Sequence, residues 1–281
     1  MNAEGQMTWE DAVRWYRAQP GNEAAILANY FDLPVRAAAE RYAASEEFGE
    51  VLRLLGVGND SAVLDLGAGN GIASFALANA GWRVTAIEPD PSVEVGAGAI
   101  RALQWETGLP IEIVAFTSEV LPFADASFDA VFARQVLHHV PDVGSTMREL
   151  FRVLKPGGVL LAIREHVVRD ERELQAFLES HPLHRLYGGE DAHPLEAYTD
   201  AANVAGFATR AVWGPLESIL NYAPRTESER RSEMLRVARE RWCGLGRLLA
   251  WSPGFVNASV RAATSNNASP GRIYSFLFSK P

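Results

Sequence analysis

In this chain of 281 residues, the side chains able to do chemistry gather in two places. The first is Val63-Leu64-Asp65-Leu66-Gly67-Ala68-Gly69-Asn70-Gly71, followed by a helical stretch from Ile72 to Ala80. An apolar run ending in alternating glycines reads as a buried strand, a tight turn and a helix start. The glycines permit backbone angles closed to other residues and let a ligand approach the main chain. The helix start adds unpaired N–H groups and the positive end of a dipole. Together these features describe a nucleotide-type pocket. Glu88 stands 23 residues after Asp65, in Glu88-Pro89-Asp90 at the end of the next strand. A carboxylate there can accept both hydroxyls of a ribose. The second place is the stretch between positions 138 and 193, which holds all six histidines. A neutral imidazole titrates near physiological pH and can take a proton from a hydroxyl as it attacks. His166, beside Glu165 after the fifth strand, is the leading base candidate, and His138 after the fourth strand is the next. His184 and Tyr187 belong to a segment expected to wall a substrate. Pro182 and the loop glycines leave no helical i, i+4 histidine pair and no familiar ligand spacing, so the reading assigns no metal.

A dinucleotide fingerprint would need a small residue at the third glycine position. Counting from Gly67 that position is 72, and it holds Ile. The pattern present is D-x-G-x-G-x-G. Further blocks follow in order: Leu121-Pro122-Phe123, Phe128-Asp129-Ala130-Val131, Leu137-His138-His139, and Glu149-Leu150-Phe151-Arg152-Val153-Leu154-Lys155-Pro156-Gly157-Gly158. Over residues 60–165 this set resembles the class I S-adenosylmethionine (SAM)-dependent methyltransferases. The resemblance implies SAM as cofactor and S-adenosylhomocysteine as product. It puts Asp65 near the methionine amino end, Gly67, Ala68 and Gly69 against the cofactor, and Glu88 with Pro89 at the ribose. Many relatives carry an acid near position 117 facing the adenine amino group. Here Thr117 and Ser118 stand there, with Glu119 as a possible substitute. Arg134 falls at the end of the fourth strand, in the same crevice as Asp65, Glu88 and Thr117.

The elements that must position these residues alternate. Strands read at 62–66, 82–87, 111–116, 128–133 and 158–164, separated by helices, which implies a parallel sheet with right-handed crossovers and ligands at the strands' carboxyl ends. Residues 207–213 and 272–278 read as two further strands, the last antiparallel by resemblance. The fold expected is α/β, a doubly wound, seven-stranded, mostly parallel Rossmann-like sheet. Three regions follow. Residues 1–58 read as helices, with Thr8 capping the first and another running from Ser45 to Leu55; the resemblance implies that they form an N-terminal helical lid, which would put Tyr30, Arg41 and Tyr42 in reach of the site. Residues 59–165 form the SAM-binding core. Residues 166–281 supply a substrate-side insertion, a cap helix over 227–250 and completion of the sheet.

Bulk properties fit a small-molecule enzyme. A net charge of −9 argues against a broad basic face for nucleic acid. One cysteine, Cys243, rules out an intrachain disulfide framework, and Met1 to Arg17 lacks the apolar stretch of a signal peptide. The expected setting is the cytoplasm, with no stable membrane insertion. The expected reaction is methyl transfer to a small-molecule acceptor, preferably at oxygen, although the same core methylates nitrogen, carbon and sulfur. The alternative is a SAM-fold protein that binds or regulates without catalysis.

Overall fold

The computed structural model describes residues 6–56, 58–116, 120–233, 236 and 269–281. Thr117, Ser118 and Glu119, and nearly all of the 234–268 part of the expected cap helix and the turn after it, lie outside the described residues.

Four helices come first: α1 (Trp9–Ala18), α2 (Glu23–Ala28), α3 (Val35–Ala43) and α4 (Glu46–Leu55). Their starts follow from side-chain chemistry. The Thr8 hydroxyl accepts the Asp11 N–H, and the Ser45 hydroxyl accepts the Phe48 N–H, so each satisfies a donor the helix itself leaves open.

The alternating region then lays down β1 (Ala62–Leu66), α5 (Ile72–Asn79), β2 (Arg83–Ile87), α6 (Ala97–Thr107), β3 (Ile111–Val114), β4 (Phe128–Arg134), α7 (Val143–Val153) and β5 (Leu154–Val168). A single 3-10 turn, Leu137–His139, follows β4. After β5 come α8 (Glu171–Ser180), α9 (His184–Tyr187), β6 (His193–Pro194), α10 (Leu195–Ala205), β7 (Ala208–Trp213), α11 (Ile219–Tyr222) and β8 (Arg272–Ser279). The sheet runs in the order β3-β2-β1-β4-β5-β8-β7, with β6 beside the far end of β5. Pairings among β1 to β6 are parallel, and β8 runs antiparallel to both β5 and β7. The chain reverses its direction of travel between β1 and β4, and the carboxyl ends of those strands open a crevice there.

The sheet has one strand more than expected. Against the expected 158–164, β5 begins at Leu154 and continues to Val168, where it pairs with the two-residue β6. Alternate residues of β1, β4 and β5 feed two cores. Val63, Phe132, Leu161 and Ile163 pack with α3 and α5 on one face. Leu64, Val131, Leu160 and Ala162 pack with α7 and α10 on the other. Burial on both faces explains why these strands are continuously apolar. Among the described residues no helix is long and apolar enough to cross a membrane.

A β-bulge shapes the site. The register of β5 on β8 slips by one residue between Ala162 and Glu165, and Arg164 takes a left-handed φ of 61° there. A bulge bends its strand and re-aims the side chains after it. Around this slip Arg164 and Glu165 are buried and His166 is partly buried, and each meets a different group of the site.

Candidate active site

A cleft of about 580 Å³ opens over the carboxyl ends of β1, β2, β4 and β5. Its first half is the glycine turn. Gly67, Gly69 and Gly71 have φ values of 61°, 55° and 81°. A Cβ on Gly67 would stand 2.7 Å from the Val136 side chain, and one on Gly71 would stand 2.8 Å from Ile100. The turn therefore needs glycine for angle and for space. The carboxylate of Glu88 fastens it, accepting the Gly69 N–H at 2.7 Å and the Asp90 N–H at 2.8 Å. Each oxygen keeps acceptor capacity toward the cleft that Glu88, Pro89 and Asp90 line.

Asp65 lines the same half and is almost fully buried. Burial pushes its pKa up to about 7, and the Ser74 hydroxyl, donating at 2.5 Å, only partly offsets this. Arg134 is the counterpart cation. Its Nε donates to Glu47 Oε1 at 2.8 Å and its Nη1 to Gln135 at 3.0 Å, with the Tyr30 and Tyr42 rings against the guanidinium. Burial opposes its charge, but Glu47 and the two tyrosines hold its pKa above the ordinary value. Its Nη2 is buried and has no hydrogen-bond partner.

These observations test whether the chain fits SAM. A buried carboxyl, an unpartnered buried guanidinium nitrogen and a glycine turn line one half-cleft. They match an ammonium, a carboxylate and a close backbone approach. The residues present fit the cofactor's amino-acid end. Tyr30 and Tyr42 stand one layer behind Arg134, and Arg41 is tied to Asp32 at 2.6 Å. The N-terminal residues that line the cleft are instead Trp9, Tyr16, Asn29 and Phe31. Helix α1 is fixed on both sides of it. Arg14 and Arg17 bind Glu94 at 2.8 and 2.7 Å, and Trp9 packs on Tyr187 with ring centroids 4.7 Å apart.

The second half of the cleft is lined by imidazoles. Glu165, fully buried, accepts the backbone N–H groups of Val136 and His138 and lies 2.7 Å from His138 Nδ1. Burial raises its pKa to about 7, against the pull of those donors. Burial, with His139 and His166 nearby, holds His138 well below its ordinary pKa, so the ring is neutral. His166 Nδ1 lies 2.8 Å from the Gly271 carbonyl, which can only accept, so the proton sits on Nδ1 and Nε2 keeps its lone pair. Burial lowers the His166 pKa as well. The structure thus brings His138, Glu165 and His166 together, with the His138 and His166 rings 4.8 Å apart edge to face.

Sequence reasoning passed over two acids of this cleft. Glu190 joins the imidazole half, its Oε1 accepting the Tyr187 hydroxyl at 2.6 Å. Glu47 sits behind the cofactor half and neutralises Arg134. Neither lies in a motif, and both reach the site through tertiary packing. Of the expected wall, Tyr187 lines the cleft, while His184 instead bonds its neighbours His181 and Glu190.

Comparison with known proteins agrees with this geometry. Residues 64–162 match the methyltransferase domain family. A ubiquinone/menaquinone biosynthesis C-methyltransferase of Nitrobacter hamburgensis is 32% identical over 172 residues, covering 54% of this chain and 67% of that protein. A ubiquinone biosynthesis O-methyltransferase of Methylocella silvestris is 41% identical over 101 residues, covering 36% of this chain but only 38% of that protein. In structure, a phosphoethanolamine N-methyltransferase of Haemonchus contortus, solved with S-adenosylhomocysteine, superposes with a TM-score of 0.55 at 18% identity, over 98% of this chain and 60% of that one. The fold and cleft are those of an α/β methyltransferase. The chain belongs to the class I SAM-dependent methyltransferases and uses SAM as its cofactor.

Proposed function

We propose that this enzyme methylates an oxygen atom of a small-molecule acceptor, with His166 as general base. The observation that carries the reading is the His166 ring, whose Nδ1 proton is committed to the Gly271 carbonyl at 2.8 Å, which leaves Nε2 as a neutral, buried acceptor. Bound SAM supplies an electrophilic methyl group on a sulfonium, so the protein's work is alignment, exclusion of water and, for a hydroxyl acceptor, removal of a proton. Asp65 and Arg134 Nη2 hold the charged amino-acid end of the cofactor. Gly67, Ala68 and Gly69 bring the main chain against it, and Glu88 with Pro89 takes the ribose, with Thr117 and Ser118 on the adenine side. Glu165 holds the His138 ring so that its Nε2 faces the acceptor. The helical lid of residues 1–58 and the segment after residue 166 enclose the acceptor, with Trp9, Phe31 and Tyr187 as its apolar walls.

The test is an acceptor screen with SAM, covering phenols, sugars, amines and thiols, read as S-adenosylhomocysteine formed per enzyme. Transfer to a hydroxyl compound is expected. His166→Gln should lower kcat by ~10²–10⁴, the usual contribution of a positioned base, while S-adenosylhomocysteine affinity stays unchanged. Transfer confined to nitrogen, sulfur or carbon acceptors, or an undiminished kcat in His166→Gln, refutes the proposal.

A further inference from the structure

The imidazole half of the cleft holds more lone pairs than a general base needs. His138 Nε2 lies 3.8 Å from Glu190 Oε2, and His139 Nε2 lies 3.9 Å from the same oxygen. The three atoms lie within 4.8 Å of one another. Both pair distances exceed a hydrogen bond. The tautomers explain why none forms. His139 Nδ1 stands 2.9 Å from the Gly189 carbonyl, an acceptor only, so its proton is on Nδ1. When Glu165 is ionised it can only accept, so the His138 Nδ1 proton points at that carboxylate at 2.7 Å. Each ring therefore turns a bare Nε2 toward a carboxylate oxygen, and no proton lies among the three atoms. His138 is 1% exposed, so its ring is shielded from bulk solvent.

From this geometry we infer a divalent transition-metal site formed by His138 Nε2, His139 Nε2 and Glu190 Oε2, at the acceptor end of the cleft. Two imidazoles and one carboxylate suit a borderline first-row ion and leave open positions for a ligand. Bonds of about 2.0–2.2 Å place tetrahedral ligands about 3.4 Å apart, so each of the two His–Glu pairs needs to close by only about half an ångström. The outer partners are already built. A carboxylate behind His138 and a carbonyl behind His139 are the groups that usually orient metal-ligating histidines. A neighbouring set, His166, His181 and Glu190, is the weaker candidate. The oxygen of Glu190 that faces His181 is taken by the Tyr187 hydroxyl, and His181 Nδ1 accepts the His184 N–H. The ion would bind an oxygen of the acceptor and favour loss of its proton to His166 Nε2. That oxygen then bonds the methyl carbon as the carbon–sulfur bond breaks and its electron pair stays on sulfur. This role rests on the oxygen-transfer reading; the binding site does not.

The test uses the full-length protein, stripped with a chelator, returned to chelator-free buffer and titrated with cobalt(II) while its visible d–d absorption is followed. One equivalent is expected to saturate the wild type. His139→Ala and Glu190→Gln are each expected to weaken uptake at least tenfold, and His181→Ala to leave it unchanged. Calorimetry with S-adenosylhomocysteine on each variant shows that it is folded. Absence of cobalt binding by a wild type that still binds S-adenosylhomocysteine overturns the site and leaves the transferase reading standing. Uptake undiminished in His139→Ala, or lost in His181→Ala instead, also overturns it. Cobalt binding by an enzyme that methylates no hydroxyl acceptor supports the site and counts against the oxygen reading alone.

Discussion

Burial of Asp65 predicts that cofactor binding is coupled to a proton. The group's ordinary pKa is 3.8, and in the folded protein it is raised to about 7, chiefly because it is almost fully buried. Between pH 4 and pH 7 the folded chain keeps a proton at Asp65 that the unfolded chain has lost. The folded state then binds more protons, so this group's effect on stability worsens as pH rises and levels off above about 7. At about 1.4 kcal/mol per pH unit over a gap of about three, the total is about 4 kcal/mol. An ammonium placed beside the carboxylate reverses the preference by favouring the charged form. Affinity for S-adenosylhomocysteine should therefore rise up to about tenfold per pH unit below pH 7 and flatten above it. Calorimetric titration in buffers of different ionisation enthalpy reads this directly. About one proton should be released per ligand at pH 5–6 and close to none at pH 8. Asp65→Asn should abolish the release and weaken binding by about 1.5–3 kcal/mol, the worth of a charge-assisted hydrogen bond. The Glu88 pKa is also raised, first by burial, so Glu88→Gln is the control and should keep the release. A wild type that binds with no proton release and a flat pH dependence would refute the reasoning, because Asp65 would then neither hold the proton nor face the ammonium.

Three further outcomes are expected of the same structure. Gly71→Ala should destabilise the fold by about 1–3 kcal/mol, since it combines an unfavourable φ of 81° with a contact 2.8 Å from Ile100; a thermal melt within 1 °C of wild type would contradict this. Glu47→Ala should cost about 3–5 kcal/mol, because it strips the counter-ion from the buried Arg134 and from Arg164, 3.8 Å away; denaturant titration measures it, and a loss near zero would mean water replaces the carboxylate. Trp9→Ala removes the ring packed between Phe31 and Tyr187 at 5.7 and 4.7 Å. It should raise KM for the acceptor more than for SAM, and equal effects on both would place Trp9 outside the acceptor wall.

Local rules carried much of the fold. The apolar run into the glycine turn marked β1 and α5 within a residue, because strand burial and turn chemistry are written in consecutive positions. Thr8 marked the first helix start for the same reason, since a cap and its partner stand three residues apart; the cap at Ser45 was read only as the start of a helical stretch. The strands at 208–213 and 272–279 were also visible as β-rich runs. The length of β5 was not. Leu154 pairs with Phe128 and Val159 with Ala130, so the strand runs through an irregularity that takes in Pro156, Gly157 and Gly158, with Gly157 at a left-handed φ of 79°. The nearness of His138 and His139 to Glu190 was not legible either. Ligand motifs are recognised within one helix or loop, whereas His138 and His139 follow β4 and Glu190 lies beyond α9. Only the folded chain brings them within reach, and only the hydrogen bonds at each Nδ1 show which nitrogen is free. The lid tells the same story. The resemblance implied a cover with Tyr30 and Tyr42 in reach of the site, but Trp9 and Phe31 line the cleft instead.

The slipped residue in β5 has a consequence for how the side chains around it are spaced. A regular strand sends neighbours to opposite faces, so it can serve a given side only with every second residue. The slip at Arg164 lets adjacent residues serve different groups: Arg164 beside the Glu47–Arg134 cluster, Glu165 under His138, and His166 against the Gly271 carbonyl. The spacing of these three side chains is then set by the stride of one central strand, about 3.3 Å per residue, and not by the play of a loop. Deleting or inserting a single residue here would exchange the duties of all three side chains at once. This short segment should therefore tolerate substitution far better than any change in its length.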